Sequence, residues 1–197
     1  MATAKVTLHT HDNTVSYDSF TPISTRARLY NRLGFDAIAP LGHDDYSEFD
    51  TEELITFRAI ERTVSADDPE IHIVEIPELD FQFLAHPGRM GVDDVKNRSR
   101  DLIDEYDLDA IEKYNAGIIQ YEGSINGVTE LANDDAHNFF QTGASYMKFN
   151  VEEINSGQIV SALRERDFKM VNKRTRFIGE LSKGTTATIG SLMGGGA

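Results

Sequence analysis

Apolar, strand-like runs in this chain repeatedly finish on histidine. "KVTLHTH" closes on His9 and His11, and "DAIAPLGHDD" carries His43 just past an apolar stretch. "FQFLAHPGR" reaches His86 and stops at Pro87-Gly88, and "TELANDDAH" ends on His137. Five of the six histidines therefore sit at the C-terminal ends of strand candidates. Helical spacing fills the gaps, in "PISTRARLYNRLGF" with Gly34 as its C-cap, in "VDDVKNRSRDLIDEYD", and in "SGQIVSALRERDF" with Ser156 as its N-cap. "TFRAIERTV", "EIHIVEI", "LDAIEKYN" and "GASYMKFN" are further strands. Strands alternating with helices point to an α/β fold, in which the strand C-termini share one face and an α/β barrel keeps its chemistry there. In "KVTLHTH" a period of two sets Val6 and Leu8 on one face and Thr7, His9 and His11 on the other.

With 197 residues, 40% of them hydrophobic, the chain has material for one sizeable core and a single domain. The absence of cysteine removes disulfides, thiolate nucleophiles and thiolate ligands together. Any metal must then rest on histidine, carboxylate or backbone oxygen, a donor set that suits zinc, manganese or iron. No apolar run approaches membrane-spanning length, and "MATAKVTLHT" lacks the apolar stretch of a signal peptide, so the expectation is a soluble, cytoplasmic protein with no membrane partner. Thirty-three acidic residues oppose 19 basic ones, for a net charge of −14. Such a surface repels nucleic acid and resembles that of a halophilic protein, soluble where salt screens its self-repulsion. Residues 171–197 run the other way, with Lys173, Arg174, Arg176 and Lys183 against Glu180, before a Gly-rich end. The division expected is a domain over 1–170 and a basic, then Gly-rich, tail over 171–197.

Carboxylates accompany the histidines: Asp18, Glu61 and Asp135. Any one histidine alone is better read as an ordinary surface or core residue. Independent histidines have no reason to choose strand ends repeatedly, whereas a shared metal site explains the set with one cause. His72 is the exception, because it opens its strand. It reaches the others only if "EIHIVEI" folds back on the Glu61 strand as a hairpin, or if the site is deep.

"HTHDNTVSYDS", "AIAPLGHDD", "AIERT", "IHIVEI", "LAHPGR", "AIEKYN" and "NDDAH" resemble, in order, the motifs of the PHP (polymerase and histidinol phosphatase) phosphoesterases. The first resembles that family's opening pair of histidines followed by Asp-Ser. The second and third resemble its Ile-Thr-Asp-His and Gly-Ile-Glu motifs. The likeness covers roughly residues 5–170, and all six histidines fall inside it. Four departures stand out. Gly42 takes the place of an aspartate, so a contact to the histidine is missing or comes from Asp44. Asp134 replaces a serine, and one extra residue lies between His11 and Asp18. Only 17 residues separate His43 from Glu61, little room for a crossover helix. The chain resembles a shortened, haloarchaeal-like member.

The resemblance implies an irregular seven-stranded (β/α) TIM-like barrel with two to three divalent ions (manganese, zinc or iron) at the strand C-termini. It implies that His9, His11, Glu61 and Asp135 hold the first ion. Glu61 is then shared with a second ion at His72 and His86, and Asp18, His43 and His137 hold a third. The activity expected is metal-dependent hydrolysis of a small phosphate ester by an activated hydroxide, with Glu61 and Asp135 central to it. Arg89, three residues past His86, is placed to clamp a phosphate oxygen or is a plain surface arginine. One alternative is a nuclease acting on nucleotide phosphodiesters or single-stranded ends; the acidic body disfavours duplexes, whose binding needs many Lys/Arg contacts. Another is a metal-binding or structural protein without turnover. Specificity is expected in loops, "AGIIQYEGSINGV" (116–128) being the longest.

Overall fold

The computed structural model describes residues 1–65 and 70–173. Two sheets carry the fold. The first has strand order β11-β10-β1-β2-β3, built from β1 (Ala2–His11), β2 (Ala37–Leu41), β3 (Ile55–Thr56), β10 (Ser145–Val151) and β11 (Phe168–Asn172). The second runs β4-β5-β6-β7-β8, with β9 also paired on β7. Its strands are β4 (Ile60–Ser65), β5 (Ile71–Ile76), β6 (Phe81–Leu84), β7 (Ala110–Asn115), β8 (Ile118–Ile119) and β9 (Thr129–Asn133). Among the described residues three α-helices cover them: α1 (Ile23–Arg32), α2 (Val95–Tyr106) and α3 (Ser156–Glu165).

The α/β class is observed, but the seven-stranded barrel is not, because no continuous ladder closes the ring among the described residues. A (β/α) barrel needs parallel strands, each followed by a crossover. Here β4, β5 and β6 are successive antiparallel neighbours, and β1 gives its first half to the antiparallel β10. The short His43–Glu61 connection holds β3 and no helix. The sheets instead meet at two seams of isolated bridges, Thr10 beside Ala136 and His43 beside Glu61.

Between the sheets lies a core of Val6, Leu8, Leu41, Val74, Phe83, Leu131 and Met147, closed at the end away from the histidines by Ile159, Ala162 and Leu163 of α3. Burial of such side chains contributes about 1.5–3 kcal/mol each. α1 covers one outer face through Tyr30, Phe35, Ile38 and Tyr146, and α2 another through Ile73, Leu84, Leu102 and Ile111. Gly34 adopts the left-handed conformation just past α1. The N-cap of α3 is Asn155 rather than Ser156: Asn155 is extended, and its side chain accepts from the Gln158 N–H at 3.0 Å, leaving Ser156 as the first helical residue. β11 runs to Asn172, two residues past the boundary expected at 170, and the tail from 174 lies outside the described residues. No helix among the described residues is long and apolar enough to cross a membrane.

β1 departs from simple alternation. Thr7 pairs with Ile38 and Thr10 with Pro40, so β1 holds one extra residue at Leu8–His9. The bulge turns His9 and His11 to the side of Val6 and Leu8 instead of the opposite face. Thr7 and Thr10 point outward, their hydroxyls bonded to Asp134 and Tyr30.

Candidate metal centre

All six histidines converge where the two seams meet the strand ends, with ring centroids 3.9 Å apart for His11–His137, 4.6 Å for His11–His43 and 5.0 Å for His72–His86. Glu61 sits at the middle. Its Oε1 lies 2.8 Å from His86 Nε2, 3.2 Å from His72 Nδ1 and 3.6 Å from His9 Nε2. Its Oε2 lies 3.0 Å from His43 Nδ1 and 3.4 Å from His11 Nε2. β5 does fold back on β4, pairing His72 with Thr63, which brings His72 in. Asp135 Oδ1 lies 3.1 Å from His11 Nε2 and 3.3 Å from His9 Nε2. Asp18 Oδ2 lies 3.0 Å from His137 Nε2 and 3.3 Å from His43 Nε2. Arg89 Nη2 donates to Asp135 Oδ2 at 2.6 Å, its side chain 54% exposed.

Three of the rings are held with Nδ1 turned away and Nε2 facing inward. His9 Nδ1 bonds the buried Glu112 at 3.0 Å. His11 Nδ1 donates to Ser16 Oγ at 2.8 Å, which itself donates to Asp18. His137 Nδ1 donates to the Asp135 carbonyl at 2.9 Å. Tying one nitrogen to an acceptor fixes the tautomer and leaves the other lone pair for a cation. Glu112 also accepts from the His86 N–H, Asn115 and Asn133, which fastens β6, β7 and β9 around His9. His86 and Asp135 both hold positive φ, 27° and 45°, the kind of backbone strain that clusters at working sites.

The electrostatics call for positive charge. Burial lowers the affinity of His9 for a proton, but Asp135, Glu112 and Glu61 outweigh it and push its pKa up to about 10. His43, whose Nδ1 faces the Glu61 carboxylate at 3.0 Å, rises to about 9, while burial takes His11 down to about 4. Burial also opposes the charged forms of Glu61 and Asp135, yet the facing histidines hold both well below the usual carboxylate range. Glu61 Oε2 and Asp135 Oδ1 are buried and accept no hydrogen bond among the described residues. Two orphaned carboxylate oxygens amid inward-facing imidazole nitrogens fit a divalent cation. Three donor groups within 4.8 Å of one another are His9–His11–Glu61, His43–Glu61–His72 and His11–Asp18–His43–His137. They differ from the expected partition: Asp135 and His86 fall outside these groups, His43 joins Glu61 and His72, and His11 joins Asp18, His43 and His137.

Sequence reasoning missed Glu112 and Ser16. Glu112 had a signal, as the one carboxylate in the buried strand "AIEKYN". Gly42 leaves no room for a side chain: a Cβ there would meet Val15 O at 2.5 Å, so the His11–Asp18 loop fills that space. Asp44 binds β4 instead, through the Glu61 carbonyl and the Thr63 N–H. Asp134 is buried, accepts from Tyr30 Oη and the Gly143 N–H, and is pushed by burial up to about 6. The 116–128 loop packs Gln120 against Gly88, beside Arg89.

No protein-family model matches the chain, and a search of curated proteins finds no match. Solved structures do match. One is a two-domain protein from Bacteroides vulgatus ATCC 8482 containing a predicted PHP-like metal-dependent phosphoesterase, with TM-score 0.66, 18% identity, and coverage of 87% of this chain and 65% of that one. PsfC from Pseudomonas syringae PB-5123 matches with TM-score 0.58 and 13% identity over 98% and 100% of the two chains. The lesion-specific endonuclease PfuEndoQ from Pyrococcus furiosus matches with TM-score 0.53 and 13% identity over 86% and 58%. The chain thus spans less than two thirds of the Bacteroides protein and of the endonuclease. At these identities the likeness is one of fold: this chain shares the mixed α/β architecture of a protein containing a predicted PHP-like phosphoesterase and of a lesion-specific endonuclease.

Proposed function

We propose that the protein is a metal-dependent phosphoesterase that hydrolyses a small phosphate ester at a multinuclear His/Asp/Glu site. The observation that carries this reading is the pair of buried, donor-less oxygens of Glu61 and Asp135, surrounded by histidine nitrogens. The Bacteroides phosphoesterase and the endonuclease, similar in fold, support the same class. His9, His11, Glu61 and Asp135 would hold one ion, Glu61 with His72 and His86 a second, and Asp18, His43 and His137 a third. When bound, divalent ions lower the pKa of a water and neutralise phosphate oxygens.

The chain's own residues do the rest. Glu112, Ser16 and the Asp135 carbonyl orient the imidazoles. Arg89, anchored on Asp135 through one nitrogen and half exposed, keeps further N–H donors for a phosphate oxygen. The buried carboxylates would repel a phosphate unless cations neutralise them, so activity should require metal.

The test is to strip the protein with a chelator, reload it with manganese, zinc or iron, and follow phosphate release from a panel of small monoesters. Two to three ions per chain and metal-restored release are expected. Fewer than one ion per chain, or release indifferent to chelation, overturns the reading.

A further inference from the structure

Tyr17, Phe20, Phe139 and Phe140 are 90%, 81%, 49% and 78% exposed, and no other aromatic side chain among the described residues is strongly exposed. All four lie in the two loops that carry Asp18 and His137. Their backbones are tied together: the Phe20 N–H donates to the His137 carbonyl at 2.9 Å, and the Phe139 N–H to Thr21 Oγ1 at 3.1 Å. The Tyr17 ring lies 5.7 Å from that of His43, while Phe139 and Phe140 meet edge to face at 6.0 Å. Four exposed aromatic side chains thus lie on the two hydrogen-bonded loops that carry Asp18 and His137, with the Tyr17 ring beside His43.

We propose that the ester cleaved here carries a flat aromatic ring on its alcohol side, and that these four side chains hold that ring while the phosphate meets the histidine cluster. This rests on the phosphoesterase reading. Stacking suits the rings, since any flat π-system can lie on them whatever its edge carries. The charge of −14 argues against a long polyanion, whose binding depends on several Lys/Arg contacts. A protein seated permanently on the rings would also cover Asp18 and His137, whereas a small substrate does so only in passing.

The ring has two possible sources, a nucleobase or a simple aryl group. The experiment compares adenosine 5′-monophosphate, 1-naphthyl phosphate and ribose 5-phosphate on the metal-loaded enzyme. Ring-bearing esters should show a KM lower by about tenfold, within what one stacked base contributes. Tyr17→Leu and Phe140→Ala should raise that KM with kcat little changed, moving the ratio of kcat/KM for ring-bearing over ring-less ester towards one. Preference for the adenosine ester assigns a nucleobase, and equal use of the naphthyl ester assigns any flat ring. Hydrolysis of ribose 5-phosphate with the same KM as the others, or a ratio untouched by both substitutions, overturns the ring site and leaves the phosphoesterase reading standing. Failure to cleave any of the three overturns both. A dimer that the same substitutions convert to monomer reassigns the rings to a subunit contact and also overturns the proposal.

Discussion

Replacing Gly42 by alanine tests how the site is braced. The added Cβ would lie 2.5 Å from Val15 O, 2.7 Å from Val15 Cγ2 and 2.9 Å from Val15 C, so its nearest obstacle is backbone and not the tip of a flexible side chain. Val15 cannot easily retreat. The Asp12 N–H donates to the Leu41 carbonyl at 2.7 Å, Ser47 donates to Asp12 at 2.6 Å, and the Asn13 side chain accepts from the first N–H of α1 at 2.9 Å. Overpacking of this kind costs about 1–3 kcal/mol, roughly 2–12 °C in Tm for a chain of this size. What relief there is must come from moving the 12–18 loop, which shifts Ser16 from His11 and Asp18 from His43 and His137. Calorimetry with metal analysis should therefore show a lowered Tm and loss of the ion assigned to Asp18, His43 and His137, with the His9–His11–Glu61 ion retained. Gly157→Ala, in α3 with its nearest atom at 3.5 Å, is the control and should keep full metal content without lowering Tm. A Gly42→Ala protein with wild-type Tm and full metal content would refute the argument.

His9→Ala or Glu61→Ala should lower metal content and abolish phosphate release while far-UV circular dichroism persists; full occupancy in both variants removes the ligand assignment. Chelation should itself lower Tm, since an ion present at about 1,000 times its Kd adds about 4 kcal/mol, roughly 8–16 °C here; an unchanged Tm speaks against tight binding. With a charge of −14, stability should rise from low to molar salt as carboxylate repulsion is screened, and a flat or falling Tm removes the halophile expectation. Burial, with Lys173 and Lys148 nearby, brings Lys5 down to about 8 from 10.5. The unfolded chain then holds more protons between those values, so stability contributed through Lys5 rises with pH across that window. Lys5→Met should flatten this rise in denaturant titrations from pH 8 to 10.5, and identical slopes would exclude the effect.

Most elements could be read from the sequence because each has its own period and stop signal: "FQFLAHPGR" ends on Pro87-Gly88, and α1 ends before Gly34. Closure could not, because it depends on pairings between distant strands. "TFRAIERTV" and "EIHIVEI" carry the same alternation whether they pair as a hairpin or face helices across a parallel ring. The face of His9 was misjudged for a related reason. Period two holds only in an unbroken ladder, and the extra residue at Leu8–His9 is visible only against the numbering of β2.

The histidines and their carboxylates were legible because cysteine is absent and the set recurs at strand ends; their supports were not. Glu112 in a strand looks like a solvent-facing residue until β9 covers it, and Ser16 looks like any loop serine. Gly42 and the 12–18 loop look unrelated in sequence, yet Val15 filling the space beside Gly42 couples them. The seams carry the same logic further. The Asp135 N–H donates to the His9 carbonyl at 3.0 Å, the Glu61 N–H to the Gly42 carbonyl at 3.0 Å, and His43 bridges Glu61. The backbones that join the two sheets thus belong to the residues proposed as ligands or to their immediate neighbours. A cation held by His9 and Asp135, or by His43 and Glu61, would cross the same junctions that these hydrogen bonds make, so metal bound there would also brace the two sheets against each other.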